Sequence, residues 1–181
     1  MKKYVFFWTV SFMMIISRFF DVYSTWKYTP NLEVEWNPLV SKMGFNWGGL
    51  LIVQIAILLM AIMMLYYALF SFVKCFPHEK NLSFSRFVAF FLTGNNIKLS
   101  NAFFVLPKEK SRIKVLSGIF IPIAIICSGI ITTLMWILMN NTVFYPKFHD
   151  PIISLIAIIL LFFISCYCCL KILYLKYYVA I

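Results

Sequence analysis

Four long runs of apolar residues dominate the pattern along the chain, each about as long as the roughly 20 residues that a helix needs to cross a hydrocarbon core. The second and fourth runs show none of the alternation that marks the strands of a membrane barrel, so the runs predict helices. We therefore predict an all-α, polytopic membrane protein with four transmembrane helices, at about residues 4–26, 47–73, 115–139 and 152–174.

The longest segment between two runs, residues 74–114, contains a shorter apolar stretch of its own from Leu82 to Leu92. Gly94 follows it where the C-cap of a helix is expected. The stretch is too short to span, and it predicts a short interfacial helix lying flat on the inner leaflet. No repeat or linker divides the chain, so residues 1–181 are predicted to form a single membrane domain. The apolar positions at helical spacing are Phe84, Phe87, Val88 and Phe91.

Lysine and arginine are concentrated in alternate segments between the runs. Residues 74–114 carry eight of the 16 basic residues, and further lysines precede the first run and end the fourth. Short loops rich in these residues stay in the cytoplasm, which predicts a multi-pass protein of the cell membrane with both termini cytoplasmic. The two other loops balance their few lysines with acids; their charged residues are Lys27, Lys42, Lys147, Glu33, Glu35 and Asp150.

Composition agrees with this class, because 63% hydrophobic and 12% charged residues exclude a soluble domain. The net charge of +10 follows mainly from topology, so we predict no nucleic-acid partner. We predict membrane lipids as partners, and a larger membrane protein or a homo-oligomer remains open. The cluster Lys108 to Arg112 and the interfacial helix would either bind anionic lipid or simply anchor the neighbouring spans.

We predict no cofactor and no metal. His78 and His149 fall on opposite sides of the membrane, and the cysteines of the fourth run spread around the helix rather than converge. The first run is longer than the apolar core of a signal peptide and contains Arg18 and Asp21, so we interpret it as a retained helix.

The end of the first run carries polar residues that lipid does not favour. Arg18, Asp21 and Thr25 are spaced i, i+3 and i+7, which places them on one helix face and allows Arg18 and Asp21 to pair. A charge near the bilayer centre costs about 3 kcal/mol, so such residues usually face a bundle interior or an aqueous cavity.

Arg18 of the first run and Gln54 of the second lie roughly 10 to 12 Å below the outer aromatic belt, and the polar residues of the third run fall in the same outer half of the membrane. Two interpretations stay open. Either the layer holds the helices together, with Arg18 neutralised by Asp21 and Gln54 bonded to Thr132 or Thr133, or it forms a small pocket that opens outward between the first three helices.

Asp21 and Thr25 at the end of the first run, followed by Glu35, Asn37 and Pro38, form an Asp-x-x-x-Thr and a Glu-x-Asn-Pro motif. Over residues 15–55 the chain resembles a family of small multi-pass prokaryotic membrane proteins of unknown function, from which its long basic loop departs. The resemblance implies no activity. Pro38 restricts Asn37 to extended backbone. Either the loop folds over the helix ends as a lid, or Glu33 and Glu35 are solvated loop acids and Asn37 with Pro38 forms a local turn or a helix start.

Two functions remain open. The first is a non-enzymatic binding, transport or assembly component with a polar pocket in the outer half of the bundle. The second is an intramembrane enzyme acting on a lipid or lipid-linked substrate at the outer leaflet, with Asp21 or Glu35 as acid or base and Arg18 holding an anionic head group. The candidate pocket residues are Arg18, Asp21, Thr25, Glu35, Asn37, Gln54 and Thr132.

Overall fold

The computed structural model of the protein describes residues 2–33, 37–71, 75–77, 82–102, 104–107, 109–148 and 150–175. Regular secondary structure within these ranges is entirely helical. In chain order the helices are α1 (Lys2–Tyr28), α2 (Pro38–Ser41), α3 (Trp47–Ser71), α4 (Phe84–Thr93), α5 (Leu99–Ala102), α6 (Lys110–Asn141), α7 (Tyr145–Phe148) and α8 (Pro151–Leu173).

Four of these helices, α1, α3, α6 and α8, are long and apolar enough to cross a membrane. The predicted fold class is therefore confirmed, and most helix ends lie within two residues of the predicted ones. The exception is α6, which begins at Lys110 rather than near residue 115. Its first turns are polar, so the apolar pattern did not mark them, yet they are helical because Arg112 and Val115 pack against other parts of the protein.

Helix α6 is the central helix, and α1, α3 and α8 all pack against it, while α1 also contacts α3. In the most apolar stretch of α6, 33% of residues are buried, against 6% for α8, which lies at the periphery. The four helices alternate in direction. We call the end near Lys3, Ser71, Lys110 and Leu173 the basic end, and the other, where Asn141 bonds Tyr28, the opposite end.

Two glycines of α6 allow neighbouring backbones to approach closely. A Cβ atom on Gly118 would lie 2.1 Å from the carbonyl oxygen of Met64 in α3. A Cβ atom on Gly129 would lie 2.8 Å from the carbonyl oxygen of Ser17 in α1. Gly129 thus allows α1 to approach α6 closely, and Gly118 does the same for α3.

Apolar side chains are divided between a protein core and an outward-facing surface. One buried cluster, around Met14, Leu65 and Ile125, joins α1, α3 and α6. The spanning helices leave many large apolar side chains exposed, as a surface in contact with lipid tails requires. Examples are Phe12, Ile52, Ile55, Met63, Leu160 and Phe163.

The short helix of the basic loop forms as predicted, and Gly94 ends it with a φ of 81°, a left-handed C-cap. Its apolar face, however, does not lie on lipid. Phe87 and Phe91 are fully buried in a second cluster that includes Phe76, Val115 and Leu170. The expectation that this face rests on the inner leaflet is corrected, because α3, α6 and α8 supply a closer apolar surface for it.

Candidate functional site

Helix α1 places Arg18 and Asp21 one turn apart, in the half of the helix toward the opposite end. The ion pair expected from their spacing forms, with Arg18 Nη1 donating to Asp21 Oδ2 over 2.9 Å. The side chains of the pair are 19% and 13% exposed. The two charges are therefore withdrawn from the surface and neutralise each other within one helix.

Helix α6 supplies the remaining partners of this pair. Arg18 Nη2 donates to the carbonyl oxygen of Ile125 over 3.2 Å and to the hydroxyl of Ser128. The Thr132 hydroxyl donates to Asp21 Oδ1 over 2.6 Å. We call Arg18, Asp21, Ser128 and Thr132 the polar clamp, since together they tie α1 to α6.

The hydrogen bonds within the clamp use the same polar atoms that catalysis or head-group binding would need. Both carboxylate oxygens of Asp21 accept hydrogen bonds, and both terminal nitrogens of Arg18 donate them. A general base must reach a substrate proton, and a head-group binder must offer donors to an anion. In this arrangement the same atoms hold two helices together, next to the close backbone contact at Gly129.

The other predicted pocket residues are less closely joined to the clamp. Thr25 is buried one turn beyond Asp21, and its carbonyl oxygen accepts from the Thr29 amide at 2.8 Å. Gln54 lies half-buried on α3. The expected hydrogen bond from Gln54 to Thr132 or Thr133 is not formed among the described residues; the two hydroxyls donate to Asp21 Oδ1 and to the Gly129 carbonyl oxygen.

Asn37 opens the short helix α2. Its side-chain oxygen accepts from the Leu39 amide at 3.1 Å, the usual role of an N-cap residue, and Pro38 follows at the first helical position. Glu35, the other predicted loop residue, lies outside the described residues, so its approach to Asp21 stays a prediction. The loop is tied down elsewhere, since Trp47 Nε1 donates to the Pro30 carbonyl over 2.6 Å.

Two cavities lie away from the clamp. The first, of about 320 Å³, is a small hollow under the loop at the opposite end, between Leu32, Val40 and Trp47. The second, of about 570 Å³, is an apolar cleft at the basic end, lined by α1, α3, α6 and α8. Neither of these two cavities is lined by Arg18 or Asp21, so both lie apart from the polar layer.

A second buried arginine was not anticipated from the sequence. Arg112, which belongs to the basic cluster predicted either to bind anionic lipid or to anchor the neighbouring spans, is only 4% exposed. Its Nη1 donates to the carbonyl oxygens of Cys75, Phe90 and Phe91 over 2.8 to 2.9 Å. Of the two interpretations of this cluster, Arg112 itself fits anchoring of the neighbouring spans, because the carbonyls at the C-terminal end of α4 attract the guanidinium.

The signal that would have pointed to Arg112 is the C-cap glycine. A Cβ atom on Gly94 would lie 3.2 Å from Arg112 Nε, so the guanidinium fits where the glycine leaves space. The same charge lies 5.2 Å from the centre of the Phe90 ring.

Within the described part of the chain, no group of three His, Cys, Asp or Glu side chains is placed to hold a metal ion.

The resemblance to small prokaryotic membrane proteins rests on Asp21, Thr25, Glu35, Asn37 and Pro38, and it stays a prediction. No protein-family model, curated protein or solved structure matches this chain. What the structure adds is a clear division between a polar clamp that joins α1 to α6 and an apolar cleft at the basic end.

Proposed function

We propose that this protein is a non-enzymatic component of the cell membrane, with both termini in the cytoplasm, that binds lipid or packs against another membrane protein. The observation that carries the proposal is that both carboxylate oxygens of Asp21 and both terminal nitrogens of Arg18 have hydrogen-bond partners within the chain itself. Charged residues that bind a substrate or transfer protons must exchange their partners. The four side chains of the polar clamp instead hold α1 on α6.

The apolar surface also supports a role within the membrane. Helix α8 contacts mainly α6, and most of its apolar length is exposed to the bilayer. Transmembrane helices associate through packing rather than through the hydrophobic effect, because lipid tails are as apolar as leucine. A peripheral helix of this kind is suited to contact lipid or a partner helix.

The test compares a broken pair with an apolar replacement of the pair. Asp21→Asn leaves the Arg18 charge without its counter-ion, and we expect it to lower the free energy of unfolding in mild detergent by about 2–3 kcal/mol. The double variant Arg18→Met with Asp21→Leu removes both charges, and we expect it to recover most of this loss while keeping the same co-purifying lipids and proteins.

A different result would overturn the proposal. If Asp21→Asn were as stable as the wild type but lost a bound lipid or partner, the pair would be a binding site rather than a clamp. If the double variant folded and a lipid product made by the wild type in reconstituted membranes disappeared, the enzymatic alternative would replace it. Native mass spectrometry and lipid analysis of the same preparations distinguish these outcomes.

A further inference from the structure

The apolar cleft at the basic end lies between α8 on one side and α1 with α3 on the other, with α6 as its floor. It exists because α8 packs against α6 and leaves the space toward α1 and α3 unfilled. Its volume of about 570 Å³ lies within the roughly 300–1,000 Å³ of small-molecule sites.

The floor and the rim of the cleft differ in exposure. The innermost lining is formed by buried apolar residues, Pro122 of the α6 floor and Leu65 and Leu69 of the α3 wall. Rim residues on the two walls, Phe6 of α1 and Ile164 of α8, are 47% and 61% exposed. The cleft is therefore accessible from the side, where the bilayer lies.

Among the described residues that line this apolar space, one is charged. Lys3, in the first turn of α1, borders the cleft at its basic end, near Cys168 and Ile172 of α8. Lys171, in the same turn of α8, is not among the lining residues, and its ammonium lies 4.7 Å from the Phe84 ring centre. An apolar space with positive charge at one end matches a hydrocarbon chain that carries an anionic head group.

We propose that this cleft holds an acyl chain of an anionic phospholipid drawn from the leaflet at the basic end, with Lys3 beside the head-group phosphate. The apolar lining excludes water as a stable filling. A partner helix is a poorer match, because a helix about 10 Å across would occupy 570 Å³ with little more than one turn. The cleft and the polar clamp share no residue, so this proposal and the proposed function are tested separately.

The test measures lipid retained by the purified full chain. The protein is reconstituted with equal amounts of palmitoyl-oleoyl phosphatidylglycerol and phosphatidylcholine, extracted in mild detergent and examined by native mass spectrometry. We expect one retained lipid per chain, with phosphatidylglycerol preferred about fivefold through Lys3. Lys3→Gln should abolish the preference without abolishing retention. Lys110→Gln, an exposed lysine at the same end, is the matched control and should keep the preference.

A second pair of variants tests the cleft itself. Cys168→Trp places a large ring at the cleft wall, and we expect retention of both lipids to fall by at least tenfold. Leu160→Trp adds the same ring to the exposed surface of α8 away from the cleft and should leave retention unchanged. Should Cys168→Trp fail to fold, the head-group preference of Lys3→Gln alone decides.

The proposal is overturned if Lys3→Gln and Lys110→Gln give the same preference, or if Cys168→Trp and Leu160→Trp retain lipid equally. It is also overturned if the wild type retains no lipid and instead gives a dimer that Cys168→Trp dissociates, because a second copy would then fill the cleft.

Discussion

Two arginines are withdrawn from the surface, and the protein neutralises them in different ways. Arg18 pairs with the carboxylate of Asp21 three residues along the same helix, and α6 completes the arrangement. Arg112 faces backbone carbonyls, two of them at the C-terminal end of α4 and one at Cys75. The first arginine is held by a formal charge, and the second is held by peptide dipoles.

The comparison shows which kind of buried charge depends on the rest of the fold. The Arg18 pair survives as long as α1 is helical, because both members lie in one helix. Arg112 lies on α6 and depends on two other segments, the one around Cys75 and the end of α4 at Phe90 and Gly94, being assembled against it at once. Its Nε has no hydrogen-bond partner among the residues that the structure describes. One buried donor of the site is thus already unsatisfied, and the site tolerates little rearrangement. We therefore expect the basic end to be the more sensitive of the two.

The largest effect is expected from Arg112→Met. Three buried carbonyl oxygens lose a charged donor, and we expect the free energy of unfolding to fall by about 3 kcal/mol or more. Hydrogen exchange of α4 should accelerate before that of the spanning helices. Arg86→Met, an exposed arginine on α4 itself, is the matched control and should change neither quantity. Equal effects of the two variants would show that Arg112 has no special role.

Cys75 gives a second measurement on the same variant, in a chain whose other cysteines are replaced by alanine. Burial raises the pKa of the Cys75 thiol, while the Arg112 charge lowers it by a smaller amount. Loss of that charge alone would raise the pKa further and slow alkylation. Faster alkylation in Arg112→Met at pH 8 would therefore report lost packing, and slower alkylation would contradict it.

The next effect concerns the close helix contact near Arg112. Gly118→Ala places a Cβ atom 2.1 Å from the Met64 carbonyl oxygen and 2.7 Å from Ala68 Cβ. Helix α3 must move away from α6, and we expect a loss of about 2–3 kcal/mol, measured by denaturation in detergent. Gly48→Ala is the control, because its Cβ atom would meet only the Asn46 side chain, at 3.5 Å. A stabilised Gly118→Ala protein would contradict the close contact.

A smaller loss is expected from Gly129→Ala beside the polar clamp. Its Cβ atom would lie 2.8 Å from the Ser17 carbonyl oxygen, so α1 must shift by less than α3 does in the previous variant. We expect about 1–2 kcal/mol, partly offset by the better helix propensity of alanine. Introducing Asp21→Asn in the same chain should cost less than it does in the wild type, because the clamp is already loosened. If the losses of stability from Gly129→Ala and Asp21→Asn were strictly additive, the glycine contact and the clamp would be independent of each other.

The smallest effect is expected from Thr132→Val, which keeps the side-chain shape and removes one hydrogen bond to Asp21. Interhelical hydrogen bonds in membranes contribute about 0.6 kcal/mol on average, and we expect a loss of about 1 kcal/mol because the acceptor is charged. Thr133→Val is the control, since that hydroxyl donates to Gly129 within its own helix. A larger loss in the control than in Thr132→Val would contradict the assigned partners.

The sequence predicts the Arg18 site but not the Arg112 site, because the two sites differ in how far apart their partners lie along the chain. Arg18 and Asp21 lie one turn apart on a helix that the apolar pattern defines, so their pairing follows from helix geometry. That Thr132 rather than Gln54 completes the pair depends on how α6 is rotated, which no local pattern specifies. The partners of Arg112 are backbone atoms, and since every residue has a carbonyl group, no residue type identifies them.

The pairing of Arg18 with Asp21 inside α1 also bears on how the protein is made. Synthesis proceeds from the N-terminus, so α1 leaves the ribosome about a hundred residues before Ser128 and Thr132 of α6 exist. During that interval an isolated arginine would oppose insertion of the helix, while an arginine that carries its own counter-ion one turn away opposes it less. Helix α1 can therefore insert into the bilayer before α6 is synthesised. Helix α6 later adds hydrogen bonds to a pair that is already neutral.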